Sequence, residues 1–122
     1  MPNYPKDIEA EIIFLLPEHG GRKKPIISGL RPQFYYDGRD WDGTMHFDTE
    51  EHMPMGIPII MYFAFISPEC HWGKLLPGKE FQLRDGPKII GNGRILRLID
   101  LEESANTASQ SETYSIMRKN ND

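Results

Sequence analysis

Glycine and proline interrupt this chain so often that no apolar stretch runs longer than residues 57–66. The 11 glycines and 10 prolines favour turns, because glycine tolerates positive φ angles and proline donates no backbone hydrogen bond. Residues 57–66 are rich in β-branched and aromatic side chains, and residues 8–16 begin with alternating apolar and polar positions. Both patterns are typical of strands. The spacing therefore predicts an all-β chain of short strands joined by turns.

Six strands in a single domain over residues 1–100 account for this pattern. A chain of 122 residues can bury one modest core. The dipeptides at 37–38 and 42–43, each Asp-Gly, predict turns. Glycines 91 and 93 interrupt the last apolar stretch and predict a bulge or a corner, which closed barrels need.

The last part of the chain differs in composition. From Glu102 onward serine, threonine, asparagine and charged residues predominate. Such a segment buries too little apolar surface to offset the entropy of ordering it. We therefore expect residues 101–122 to form a polar, disordered tail.

Charge and cysteine content bear on the compartment and on the partners. The formal net charge of −4 opposes binding to a polyanion unless the cations are gathered on one face. The first residues lack the pattern of a signal peptide, no stretch is long enough to cross a membrane, and Cys70 is the single cysteine. We therefore expect a cytoplasmic protein. The four histidines and Cys70 lack zinc-type spacing, so no metal or other cofactor is expected.

Three motifs carry a resemblance to a known family. They are Glu18-His19-Gly20-Gly21-Arg22, Gly29-Leu30-Arg31-Pro32-Gln33-Phe34-Tyr35 and Phe81-Gln82-Leu83-Arg84-Asp85-Gly86. In this order they resemble the C-terminal domain of bacterial elongation factor Tu, with the spacing between the first two preserved. The resemblance covers residues 7 to about 99. It implies a six-stranded antiparallel closed barrel and a stand-alone homologue of that domain.

The resemblance also implies a function. In the family this domain contacts aminoacyl-tRNA and protein partners of the factor. By matching positions, the contact residues here would be Arg22, Lys23, Gln33, Arg84, Asp85 and Gly86. The chain has no G-x-x-x-x-G-K-[ST] loop, so we expect neither nucleotide binding nor GTPase activity. The expected protein is a binding module rather than an enzyme.

Departures from the family pattern leave the partner open. Asp42 replaces a threonine and Pro87 replaces a glycine, and both changes disfavour RNA. Trp41 and Trp72, expected on loops, are residue types that dominate protein interfaces. The leading interpretation is a module that engages a translation component, either tRNA or a protein that docks on the factor. The alternative is a decoy or immunity-type protein that mimics the factor and binds a toxin or another protein.

Overall fold

The computed structural model describes residues 5–47 and 51–109. Its strands are β1 (Ile8–Phe14), β2 (Gln33–Tyr36), β3 (Arg39–His46), β4 (Pro58–Phe65), β5 (Glu80–Asp85) and β6 (Lys88–Leu98). They form a closed barrel in the order β1-β4-β3-β2-β5-β6, with every neighbouring pair antiparallel. The six-stranded barrel predicted from the sequence is confirmed. No helix among these residues is long and apolar enough to span a membrane.

Side chains along each strand point alternately into and out of the barrel, and those that point inwards form the core. In β1 every second side chain, from Ile8 to Phe14, is buried, as the period-two pattern of a half-buried strand requires. Phe34 lies at the centre of the core. Its ring stacks on Phe81 at 4.1 Å and meets Phe63 and Phe65 edge-on at 5.3 and 5.0 Å. Such ring pairs stabilise a fold by about 0.5–1.5 kcal/mol each beyond their buried area. Phe34 thereby ties β2 to β4 and β5.

Strand β6 carries the irregularities that help close the barrel. Its pairing with β5 passes from Gly91 to Ile89, which leaves Ile90 as an extra residue, and its pairing with β1 skips Leu96 in the same way. These bulges bend the strand and increase its twist. A Cβ on Gly93 would collide with the rings and methyl groups of Phe81 and Ile12. The irregularity predicted from the glycines therefore lies in β6, beside Gly91.

Strand β3 begins earlier than the sequence indicates. The Asp37-Gly38 turn is present, with both residues at positive φ. The second predicted turn is wrong, because residues 42–43 lie inside β3. Asp42 pairs there with Gln33 of β2, and Gly43 pairs with Phe65 of β4. Pairing on both sides overrides the local turn preference of an Asp-Gly dipeptide.

The start of the predicted tail is helical rather than disordered. Residues 101–109 form a helix, α1, and its residues Leu101 and Ala105 are buried against the barrel. Asp7 is buried too, and it accepts hydrogen bonds from the Phe65 amide at 2.8 Å and the Ser104 hydroxyl at 2.6 Å. Burial raises the pKa of Asp7, and these two hydrogen bonds oppose the rise. The rest of the predicted tail, 110–122, lies outside the described residues.

Alternating strand directions sort the connections to the two ends of the barrel. One end, the Arg22 end, carries the β1–β2 and β3–β4 connections and the tight β5–β6 turn. The other, the Trp72 end, carries the β2–β3 turn, the β4–β5 loop, the start of β1 and α1. The residues predicted to bind RNA and the exposed tryptophan therefore belong to opposite ends.

Leu101→Ala tests whether α1 is part of the folded unit. Leu101 is fully buried, so truncation should lower the free energy of unfolding by about 2–5 kcal/mol in urea denaturation. Glu102→Ala, at an exposed position of the same helix, is the control and should change stability by less than about 0.5 kcal/mol. Equal stabilities for the two variants would mean that residues 101–109 do not pack on the barrel.

Candidate functional site

Two glycines bring Arg22 against the barrel. After the short 3-10 helix Pro17–His19, Gly20 adopts a left-handed conformation with φ of 90°. Gly21 then passes so close to the chain that a Cβ there would collide with the carbonyl oxygen of Leu15. As a result the Arg22 side chain is only 22% exposed, and its Nη1 lies 4.0 Å from Oδ2 of Asp85. The β1–β2 connection and the β5–β6 hairpin therefore meet at this end.

Gln33 and Arg84 are neighbours through the strand register. They are paired residues of β2 and β5. The Arg84 guanidinium lies 3.7 Å from the centre of the Tyr35 ring, and its Nη2 donates a hydrogen bond of 3.4 Å to Oε1 of Gln82. Stacking on an aromatic ring restricts a guanidinium without removing all of its donors. The ring of Tyr35 thus holds Arg84 beside Gln33.

Three of these side chains keep polar atoms that are buried and unused. Within the described part of the chain, no partner is present for Nε of Arg22, Oε1 of Gln33 or Nε of Arg84. A buried donor or acceptor without a partner costs about 1–3 kcal/mol, so native proteins rarely leave several together. Protein covers these three atoms, so a ligand could bond to them only after the side chains turn towards solvent.

The remaining predicted residues border this group. Asp85 is two-thirds exposed and Gly86 has a φ of 63°, so the turn of the hairpin is open to solvent. Lys23 follows Arg22 and is exposed. Asp42 is the β3 partner of Gln33 and brings a carboxylate to the edge of the group. We call Arg22, Lys23, Gln33, Arg84, Asp85 and Gly86 the arginine cluster.

The two tryptophans differ in their surroundings. Trp72 is 44% exposed on the β4–β5 loop, as predicted. Trp41 does not lie on a loop. It belongs to β3, packs against the core and stacks with the guanidinium of Arg39 at 4.1 Å. Its pairing with Phe34 of β2 fixes this position in the barrel wall, so only the prediction of a loop is wrong.

A buried histidine in the β4–β5 loop escaped the sequence analysis. His71 is fully buried, and its Nδ1 shares a hydrogen bond of 2.6 Å with the Tyr36 hydroxyl. Its ring lies 4.3 Å from that of Phe65 and 4.7 Å from that of Trp41. Burial, together with a smaller effect of the Lys74 charge, lowers the pKa of His71 to about 4. The neutral imidazole thereby anchors the loop that presents Trp72.

Metal binding finds no support in the described ranges. No group of His, Cys, Asp and Glu side chains there is placed to hold an ion. Cys70 is a free thiol, partly exposed, with its sulfur 4.0 Å from a carboxylate oxygen of Glu69.

The described residues thus form a small closed antiparallel barrel with cations held between a loop and a hairpin. The comparison with known families identifies this kind of barrel. Residues 2–99 match the family model of the elongation factor Tu C-terminal domain. The chain therefore belongs to that family, whose barrel is a non-catalytic domain of the factor.

Gly21→Ala and Gly20→Ala separate steric collision from backbone strain. A Cβ at Gly21 has no room, so that variant should lose more than about 3 kcal/mol of unfolding free energy. A Cβ at Gly20 meets nothing within 4 Å, so only its positive φ matters, at about 1–2 kcal/mol. Urea denaturation measures both. Equal losses would mean that Gly21 does not approach the Leu15 carbonyl.

The pH dependence of stability tests the burial of His71. Between pH 6.5 and about 4 the unfolded chain takes up a proton at His71 that the folded barrel does not. The free energy of unfolding should therefore fall as the pH is lowered through this window, by up to about 3 kcal/mol from this residue. The measurement is the difference in pH dependence between the unaltered protein and His71→Phe. Identical dependences would show that His71 is solvated.

Proposed function

We propose that this chain is a binding module whose arginine cluster holds the backbone of an RNA, with tRNA as the first ligand to test. The supporting observation is that the barrel brings Arg22, Gln33 and Arg84 to the same end, with Arg84 paired to Gln33 and stacked on Tyr35 and with Arg22 beside Asp85. Their types suit one ligand. Guanidinium groups donate to phosphate oxygens, and an amide oxygen accepts from a ribose 2′-hydroxyl.

The hairpin turn favours close approach of such a backbone. Gly86 has no side chain, and the exposed turn leaves its main chain accessible. Lys23 adds an exposed cation next to Arg22 in the sequence. Together these residues allow a phosphate backbone to come close to positive charge, because no side chain projects from the turn at Gly86.

Two carboxylates weaken the proposed interaction with RNA. Asp85 lies within 4.0 Å of Arg22 and competes with phosphate for it, and Asp42 borders Gln33. The chain as a whole carries a formal charge of −4. We therefore expect weak binding that declines further as the salt concentration rises, because few phosphate contacts supply the favourable electrostatic energy.

Arg22→Ala and Arg84→Ala test the RNA contact by fluorescence anisotropy with labelled, deacylated tRNA. Each should weaken binding about tenfold or more, because a charge-assisted hydrogen bond contributes about 1.5–3 kcal/mol. Arg97→Ala is the matched control. Arg97, on β6, is an exposed arginine that forms an ion pair with Glu9 of β1, so its loss removes one positive charge outside the cluster.

Asp42→Asn and the salt series complete this experiment. Removing the carboxylate beside Gln33 should strengthen binding, whereas raising the salt concentration should weaken it. The proposal is wrong if Arg97→Ala weakens binding as much as Arg22→Ala does, or if the unaltered protein does not bind tRNA at low salt.

A protein partner at the Trp72 end is the second candidate. Trp72 is exposed on a loop that also exposes Ile66 and Leu76, and large apolar side chains of this kind anchor protein interfaces. A module that retains the factor's barrel and presents this loop would suit a protein that docks on the factor, or a decoy that binds a toxin aimed at it.

Trp72→Ala tests this second candidate in a pull-down from nuclease-treated lysate. A protein bound at this end should be recovered with the unaltered chain, be lost with Trp72→Ala and persist with Arg22→Ala. The recovered protein should rebind in purified form. Recovery that survives Trp72→Ala would contradict the assignment to this loop.

A further inference from the structure

A groove of about 620 Å³ crosses the outer face of the barrel over β1, β6, β5 and β2. Its volume is in the range of sites that hold small molecules or a few side chains of a peptide. The groove has none of the arginine cluster among its lining residues. The function proposed for that cluster therefore does not account for it.

The strand register arranges polar and apolar groups in one row across the groove. Asn92 of β6 pairs with Gln82 of β5, and both line it. Ile13, on β1, pairs with Asn92 on one side, and Tyr35, on β2, pairs with Gln82 on the other. The Asn92 amide offers a donor and an acceptor, whereas Oε1 of Gln82 already accepts from Nη2 of Arg84, so Gln82 contributes its NH₂ group as a donor. The middle of the groove can thus hydrogen-bond both the N–H and the C=O of a peptide backbone.

An apolar stripe continues the groove beyond β1. Ile13 is 39% exposed and pairs with Pro58 of β4, which is also exposed. Ile60, two residues further along β4, is 54% exposed on the same outer face. Side chains two positions apart on paired strands are within reach of each other. These three residues form a continuous apolar surface at one wall.

The charge along the groove is negative. Three carboxylates line it, and among the described lining residues Arg94 is the one cation. Arg94 lies 4.0 Å from Glu11, so it neutralises that side chain in part. Asp37 is held by Lys79 at 2.7 Å. Glu80 is exposed and forms no ion pair in the described part of the chain, although Arg94, its strand partner on β6, lies between it and Glu11.

We propose that this groove binds an extended segment of a partner protein in which basic side chains alternate with apolar ones. Glu80 and Glu11 attract the basic side chains, the stripe of Ile13, Pro58 and Ile60 buries the apolar ones, and the amides bond the backbone between them. An RNA does not fit, because the carboxylates repel phosphate. A second copy of this acidic chain is likewise disfavoured by charge.

A fluorescent peptide of alternating lysine and leucine is the probe, and anisotropy is the measurement. It should bind the unaltered protein more tightly than a lysine–serine peptide, which lacks apolar side chains, and a glutamate–leucine peptide should not bind. Absence of binding by the lysine–leucine peptide overturns the proposal. Equal binding of the lysine–serine peptide overturns it too, because the apolar stripe would then contribute nothing.

Charge-matched variants locate the binding site. Glu11→Gln combined with Glu80→Gln should weaken binding of the lysine–leucine peptide about tenfold. Ile13→Ser should weaken it as well. Glu102→Gln combined with Glu103→Gln removes the same charge from exposed positions of α1 and should change affinity less than about twofold. An equal loss in this control overturns the proposal, because any acidic surface would then suffice.

Binding of tRNA by the same variants keeps the two proposals separate. Glu11→Gln/Glu80→Gln should leave the effect of Arg22→Ala on tRNA affinity unchanged, since Arg22 pairs with Asp85 whereas Glu11 pairs with Arg94. Unchanged urea midpoints show that the variants are folded. Peptide binding without tRNA binding would support the groove and contradict the RNA site. Binding of tRNA without binding of the peptide would support the RNA site and contradict the groove.

Discussion

Closure of the sheet is the constraint on which the rest of this structure depends. Pairing of β1 with β6 and of β2 with β5 joins the first and last strands and brings distant connections together. The bulged β6 and the aromatic packing of Phe34 on Phe81 make that closure possible. Without it Arg22 would have no reason to lie beside Asp85, and Gln33 would have no reason to lie beside Arg84.

The closed barrel places two surfaces of different charge side by side. The arginine cluster gathers cations in a chain whose formal charge is −4, whereas the groove on the outer face gathers carboxylates. They adjoin at Arg84, which contacts the groove residues Gln82 and Tyr35. The Trp72 loop adds an apolar surface at the far end, anchored by the buried contact of His71 with Tyr36.

Sequence reasoning predicted the barrel because alternation and turn residues report local structure directly, and the family motifs named the cluster residues. It was wrong where the local structure depends on contacts with residues distant in the sequence. Asp42 and Gly43 resemble a turn until β2 and β4 pair with them. Leu101 and Ala105, spaced for one face of a helix, are hidden among polar residues. Nothing local marks the contact of His71 with Tyr36, or the unused atoms of the cluster.

Nuclear Overhauser contacts in a labelled sample test the closure most directly. The account predicts backbone contacts between Ile12 and Gly93 and between Gln33 and Arg84 in the same molecule. It also predicts a side-chain contact between the Arg22 and Asp85 positions. Observation of the contact between Ile12 and Gly93 without the contact between Gln33 and Arg84 would show an open sheet, in which the arginine cluster does not assemble.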